Sequence, residues 1–366
     1  MAWCCRHRVC RDNSACSYWF AESRLNYRCN MTRTHLLFVS DSSAELRKTI
    51  TDQGPIRLFS APPIYLLKPR IPIGVATDQL LTRDAIKELN EFLAISCEYD
   101  PHNPPCNENE IEHHMESAAI ALQLVRPTRY FLTYRLRIEP GPELGPFSVD
   151  ARLLPLRIFD PYLHYQQNHQ ISPDDATRAT RILPTVLRAM ASGPGGSWNH
   201  PCGSIHRSLI LFCQGYSVNL LDLRQLLWAA GLDSLFASKL DQRKWGAKTI
   251  SARLQALLGT NYQPYATSTV RVPSHQKARK TNHYLKDIAE HIFWLRNAYM
   301  HGGPIPDTNW LTKSGDPLES GYAYQLLECT EILLRETLLR LFEDPSLFAI
   351  FLSPIQLDQH FSQFGC

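Results

Sequence analysis

The second half of the chain carries a series of apolar patterns with helical spacing, and the pattern in residues 288–301 constrains the fold most. Apolar side chains recur there every three or four residues, which is typical of a helix with one face in a core. They are Ile288, Ile292, Leu295 and Tyr299. Gly302, Gly303 and Pro304 follow at once, and such a sequence ends a helix. We therefore predict one long helix over residues 276–301.

Several more segments after residue 170 carry helical signals. Ser172 precedes a proline and two aspartates, which is a typical helix start because serine caps the first turn and proline fits its first position. This helix is predicted to run to about Ala191. Further helices are predicted over residues 204–215, 220–238, 244–258 and 322–342. Helices joined by short connections predict an all-α bundle over residues 170–366.

Residues 31–165 have a different pattern. Short runs of β-branched and aromatic residues predict strands over residues 35–39, 56–59, 64–67, 129–134 and 153–159. Helical spacing predicts helices over residues 84–95 and 109–124. We therefore predict the α+β class, with a small mixed domain of unknown role ahead of the helical bundle. This domain carries no recognisable catalytic pattern.

The first 30 residues have no apolar periodicity and lack the apolar segment of a secretory signal. We expect residues 1–30 to be a disordered or mis-assigned extension, with Met31 as the native start. The alternative is a zinc site, since thiolates and imidazoles are common zinc ligands. Its members would be Cys4, Cys5, His7 and Cys10. Their spacing matches no paired Cys-x-x-Cys arrangement, which favours the extension.

Composition bounds the functional class. The net charge of +3 over 366 residues is small, so attraction for nucleic acid must come from a local patch. The 11 cysteines are an odd number without paired spacing, which predicts a reducing cytoplasm. No apolar run reaches the roughly 20 residues of a membrane helix, so no membrane partner is expected.

His113 and His114 match neither zinc-peptidase order, and neither a metal nor another cofactor is expected.

Arg296, Asn297 and His301 place a permanent cation, an amide and a titratable imidazole at the end of the predicted helix. Guanidinium binds phosphate oxygens and imidazole changes charge near neutral pH, so these groups suit chemistry on a phosphodiester. Asn297 and His301 are about 40° apart on an ideal helix and can touch. Arg296 and His301 are about 140° apart. They would face one ligand only if the helix loosens at Gly302 or if two helices meet in a symmetric dimer.

Three segments, taken in order along the chain, resemble the higher-eukaryote-and-prokaryote nucleotide-binding (HEPN) domain, in its Apea-like branch. Residues 231–236 are similar to the family's Ala-Leu-Glu-x-Leu-Phe helix, and residues 251–259 to its Arg-Leu-Ala-x-Leu-Leu-Gly segment. The third segment is Arg-Asn-x-x-x-His at residues 296–301, on the penultimate helix of the bundle. A closing helix with Arg335 and Arg340 also fits the family. The resemblance covers about residues 200–343.

This resemblance implies a metal-independent endoribonuclease that works as a homodimer, often in a toxin–antitoxin or phage-defence setting. His301 would be the general acid and base, Arg296 would stabilise the charged phosphorane, and Asn297 would orient both. The supporting residues would be Asp233, Arg253 and Tyr299. Asp233 stands where the family has glutamate and is one methylene shorter.

RNA, a second copy of the chain and an antitoxin or regulatory protein are the partners that the resemblance implies. The alternative, also found in the family, is a catalytically inactive module that binds RNA or protein. Basic residues upstream of the motif are expected to approach the RNA backbone, unless they form a plain solvated helix face. They are Arg271, Lys277, Arg279, Lys280 and Lys286. Four aromatic residues are expected in the core or at a dimer contact rather than as stacking platforms for bases. They are Trp228, Phe236, Phe293 and Trp294.

Overall fold

The structure is a computed structural model, and it describes residues 32–39, 42–71, 83–127, 135–138, 170–191, 202–218, 220–237, 246–259, 262, 284–302 and 322–364. The strands in these ranges are β1 (Arg33–Val39), β2 (Ile56–Ser60), β3 (Pro63–Leu67), β4 (Leu93–Tyr99) and β5 (Arg135–Ile138). The helices among them are α1 (Ala44–Gln53), α2 (Arg83–Leu89) and α3 (Glu108–Val125). The later helices are α4 (Pro173–Met190), α5 (Gly203–Ser217), α6 (Leu221–Phe236), α7 (Gly246–Leu258), α8 (Tyr284–His301), α9 (Tyr322–Glu343), α10 (Pro345–Phe351) and α11 (Pro354–Ser362).

The strands form one antiparallel sheet in the order β2-β3-β4-β1-β5. Successive side chains of β1 enter opposite faces of the sheet, as the strand repeat requires. Leu37 and Val39 lie in the core that includes residues of α3, whereas Leu36 and Phe38 lie in a second cluster with Ile86 of α2. Both faces of this part of β1 are therefore buried, which explains the apolar run from Leu36 to Val39.

A continuous hydrophobic core joins the sheet to the helices of the second half. At the junction α3 packs on α4, and Arg126 forms an ion pair with Asp175 in the first turn of α4, with Nε and Oδ2 3.2 Å apart. Ser172 caps α4 because its hydroxyl accepts the Asp175 N–H, while the Asp175 carboxylate accepts the Ser172 N–H. One carboxylate thus starts α4 and also ties it to the end of α3.

The helix α9 packs against α4, α6 and α8 and carries a buried polar network. Tyr216 of α5 donates to Glu331, and Arg335 lies 3.2 Å from the same carboxylate, measured from Nε to Oε1. Burial raises the pKa of both Tyr216 and Glu331, and Arg335 opposes both shifts. Such a network stabilises one arrangement of helices because each member left alone would be a buried unsatisfied group.

The predicted α+β class, with a sheet followed by helices, is confirmed. The strands predicted over residues 35–39, 56–59 and 64–67 are confirmed as β1, β2 and β3. The predicted helix over residues 84–95 is wrong in its second half, since α2 ends at Leu89 and β4 begins at Leu93. β4 is buried between β1 and β3, and this environment outweighs local propensity.

The predicted helices over residues 109–124, 204–215, 220–238, 244–258 and 322–342, and the helix that begins after Ser172, are confirmed with shifts of a few residues. The helices α1, α10 and α11 and the strands β4 and β5 were not predicted. The predicted strands over residues 129–134 and 153–159, residues 1–30 and the first part of the predicted motif helix lie outside the described residues. Among the helices of the described ranges, none combines the length and the apolar composition that crossing a membrane requires.

Candidate RNA-cleavage site at the end of α8

Arg296 projects from α8 to α6, where its Nη2 lies 3.3 Å from Oδ2 of Asp233. The two residues are separated by 63 positions in the chain and meet because α6 packs against α8. The side chains are 29% and 37% exposed, so the pair lies at the rim of the bundle rather than in its core. An ion pair in such a position stabilises the fold by about 1 kcal/mol at most, and its main effect is to orient the guanidinium.

The carboxylate of Asp233 is held in an unfavourable environment for charge. Burial raises its pKa, and the cation of Arg296 opposes this shift. The same guanidinium donates from Nη1 to Oδ1 of Asn297 at 3.1 Å. Arg296 therefore bridges a carboxylate on α6 and an amide on α8, and the structure brings together three of the residues predicted for the site.

His301 is the last residue of α8, and Gly302 ends the helix in the left-handed region with φ of +64°. The imidazole of His301 is exposed, as is the amide of Asn297 one turn earlier. Since α8 stays helical up to His301, this histidine and Arg296 keep the separation of about 140° and about 7.5 Å along the axis that an ideal helix gives. Among the hydrogen bonds and ion pairs of the described residues, none joins Arg296 to His301.

Arg253 lies in the interior rather than beside Arg296. It is 3% exposed, its Nη1 donates to the carbonyl of Phe236, and its Nη2 lies 2.7 Å from Oδ1 of Asp358. Its guanidinium also lies over the ring of Phe361, 5.8 Å from the ring centre. Arg253 thus fastens the last turn of α6 to α11, and it acts on Asp233 only through the position of α6. Asp358 was missed at the sequence level because no helix was predicted there, although Ser353 caps α11 and Pro354 fills its first position, the same signal that begins α4.

The remaining residues predicted for the site are Tyr299 and five basic residues upstream of the motif. Tyr299 is half-buried and packs against the main core. Lys286 lies on α8, and its side chain is outside the described part of the structure. The other basic residues lie wholly outside the described residues. They are Arg271, Lys277, Arg279 and Lys280.

The arginines of the closing helix, which also carried the resemblance, support the bundle. Arg335 belongs to the buried network of α9. Arg340 donates from Nη1 to the carbonyl of Leu257 at 2.7 Å and so satisfies the end of α7. The contacts that these two side chains make in the described structure are internal to the fold.

Histidines and cysteines also occur away from α8 in the described ranges. No group of three or more His, Cys, Asp or Glu side chains is placed there to hold a metal ion. Burial lowers the pKa of His113, and the charge of His114 lowers it further. The described cysteines are free thiols. Burial raises the pKa of Cys97 and of Cys213 to about 12 each, so both stay protonated and act as small apolar side chains.

No protein-family model, no curated protein and no solved structure matches this chain. The resemblance to HEPN domains therefore depends on the order of the three motifs and on what their residues do in the fold.

Proposed function

We propose that this protein is a metal-independent endoribonuclease of the HEPN type that works as a homodimer, with Arg296, Asn297 and His301 at its active site. The supporting observation is the ion pair between Arg296 and Asp233. The resemblance singles out these two residues in motifs that lie far apart in the chain, and in the structure they are in contact. In addition, the imidazole of His301 is exposed, as a group that meets a polymeric substrate must be.

The proposed reaction uses the 2′-hydroxyl of the RNA itself. His301 takes the proton of this hydroxyl, the 2′ oxygen forms a bond to the adjacent phosphorus, and the bond from phosphorus to the 5′ oxygen breaks. The 5′ oxygen leaves with a proton from an imidazolium, and the products are a 2′,3′-cyclic phosphate and a 5′-hydroxyl end. Arg296 stabilises the negative charge that the equatorial oxygens gain in the transition state.

A second copy of the chain completes this site. Arg296 and His301 point away from each other on α8, so one chain does not present both to the same phosphate. A two-fold axis near the end of α8 places the guanidinium of one protomer opposite the imidazole of its partner. In a toxin–antitoxin or phage-defence setting, an antitoxin or regulator would control the dimer by covering this end of the helix.

A second candidate is a non-catalytic module that binds RNA or protein through the same surface. The observation that favours it is the engagement of Arg296 by Asp233 and Asn297 within one chain, which leaves fewer of its donors for phosphate. In this case Arg296 contributes to binding, and His301 has no chemical role.

The test is cleavage of an end-labelled single-stranded RNA by the purified protein in the presence of EDTA. We expect His301→Ala to lower kcat by about 10²- to 10⁴-fold, as the loss of a general acid–base does, and Arg296→Ala by about 10²- to 10³-fold. His102→Ala and Arg47→Ala are the matched controls, because both residues are exposed and lie in other parts of the fold. Both controls should cleave like the wild type.

Thermal melts separate chemistry from folding. His301→Ala removes an exposed side chain and should change the free energy of unfolding by less than about 0.5 kcal/mol. If both site variants cleave as fast as the wild type, the nuclease proposal is wrong. If the wild type binds RNA without cutting it and Arg296→Ala weakens that binding, the second candidate is correct.

A further inference from the structure

Trp294 differs from the other three aromatic residues that were expected in the core or at a dimer contact. Trp228, Phe236 and Phe293 are at most 3% exposed, whereas Trp294 is 40% exposed on α8. A core position is thus confirmed for the first three residues, whereas Trp294 lies outside the core, and its predicted alternative, a dimer contact, stays a prediction. An indole left partly in water loses the stabilisation that its burial would bring, so this position needs another explanation.

The exposed indole lies on the same side of α8 as Asn297 and His301, whereas Arg296 lies about 160° away around the axis. Trp294 and His301 are seven residues apart, which places them within about 20° around the axis and about 10.5 Å along it. Asn297 lies between them, about 4.5 Å along the axis and about 60° around it from Trp294. An aromatic ring, an amide and an imidazole therefore follow each other along one exposed stripe.

The ring of Trp294 is held in place by a neighbour. Its centre is 5.3 Å from the centre of the His291 ring, and the two planes are 13° apart, which is a stacked arrangement. His291 itself is only 6% exposed and is anchored in the bundle. An indole oriented in advance loses little conformational entropy when a flat ligand stacks on it.

We propose that Trp294 is a stacking platform for an unpaired nucleobase of the RNA, next to the phosphate that His301 reaches. This inference rests on the proposed function and adds a binding subsite, in which a splayed base of the single-stranded RNA is held beside the cleaved bond. Sequence-specific and sequence-tolerant proteins alike hold unpaired bases on aromatic side chains. The amide of Asn297 lies where it can meet the edge of such a base.

The residues around Trp294 favour a nucleotide over a protein as the occupant. Asn297 and His301, which share the stripe, are polar and exposed. The large exposed apolar side chain nearest in sequence is Met300, which lies about 120° away around the helix. A single aromatic ring among polar groups is typical of a base-stacking site, whereas a protein interface of standard size has several apolar residues at its centre.

The test is a double-mutant cycle on RNA affinity, in which the Trp294 side chain and one base of the RNA are removed separately and together. The probe is a single-stranded 2′-O-methyl RNA, which lacks the attacking hydroxyl and stays intact, together with versions in which one base at a time is removed. We expect Trp294→Ala to weaken binding roughly 5- to 160-fold, which corresponds to the loss of one stacked base. Removal of the stacked base should weaken binding to the wild type but not to the variant.

Three controls keep this result specific. Trp294→Phe should restore most of the affinity, because a phenyl ring also stacks. Met300→Ala removes an exposed side chain from another side of the same helix and should bind like the wild type. The slope of log affinity against log salt should be equal for the wild type and Trp294→Ala, since stacking releases no counterions.

Each outcome separates this inference from the proposed function. If the wild type neither binds nor cleaves single-stranded RNA, the proposed function fails and this inference fails with it. If Arg296→Ala weakens binding while Trp294→Ala does not, only the stacking platform is wrong. If Trp294→Ala splits a dimer and base removal weakens both proteins equally, Trp294 is a contact between copies, and the stacking assignment is overturned.

Discussion

Replacement of Gly215 by alanine tests the close packing of α5 on α6, which positions the helix that carries Asp233. A Cβ atom at residue 215 would lie only 2.6 Å from both Cδ1 and Cε2 of the Trp228 ring. That ring is fully buried, and its Nε1 donates to the carbonyl of Phe212 at 3.1 Å. Because the indole is fully buried, making room for this Cβ atom either breaks the hydrogen bond or forces a shift between the two helices.

The size of the effect follows from three contributions. Overpacking in a dense core costs about 1 to 3 kcal/mol. Loss of the indole hydrogen bond leaves a buried donor or acceptor, which costs about 1 to 3 kcal/mol more. The higher helix propensity of alanine than of glycine raises the free energy of unfolding by about 1 kcal/mol and partly offsets these losses. We therefore expect Gly215→Ala to lower the free energy of unfolding by about 3 kcal/mol, within a range of about 1 to 5 kcal/mol.

The matched control is Gly231→Ala, on α6. There the new Cβ atom would lie 2.7 Å from Cδ2 of Leu334, the end of a flexible side chain that can turn away. The gain in helix propensity is equal at both positions, so urea denaturation with an unchanged m-value isolates the packing difference. We expect Gly231→Ala to lie within about 1 kcal/mol of the wild type. Equal stability of the two variants would refute the packing described for Gly215.

Two further predictions concern buried polar groups. The pKa of Tyr216 in the folded protein lies well above its ordinary value of 10.0, chiefly because of burial, so above about pH 10 the unfolded chain loses this proton while the native protein keeps it. Stability should therefore fall as the pH rises above 10, and Tyr216→Phe should make that fall less steep in denaturation curves from pH 9 to 11; an unchanged slope would contradict the assignment. Arg253→Ala removes the ion pair to Asp358 from a largely buried position and should lower the free energy of unfolding by about 3 to 5 kcal/mol. A variant of unchanged stability but weaker RNA binding would show instead that Arg253 belongs to the site.

The sequence alone identified several elements whose signals are local, although the capped starts of α10 and α11 were overlooked. The capping serine and the following proline and aspartates located the start of α4, and the apolar repeat followed by Gly302 located the end of α8. These signals work because a helix satisfies its own hydrogen bonds within a few residues and needs a partner only for its apolar face. The strand β4 escaped detection for the opposite reason. A short apolar run is equally compatible with a buried helix, and only its pairing with β1 and β3 determines its conformation.

For the candidate site, too, some properties could be predicted from local sequence and others depend on the tertiary structure. Local chemistry led to the prediction of Arg296, Asn297 and His301 as site residues, because their types and spacing are those expected of groups that act on a phosphate. The tertiary structure alone showed that Arg296 reaches Asp233, that Arg253 is buried against α11, and that Trp294 is exposed. These properties depend on which helices pack together, over separations of 63 residues for the first pair and 105 residues for Arg253 and Asp358. Contacts at such separations arise from the burial of apolar faces across the whole bundle, and no short stretch of sequence records them.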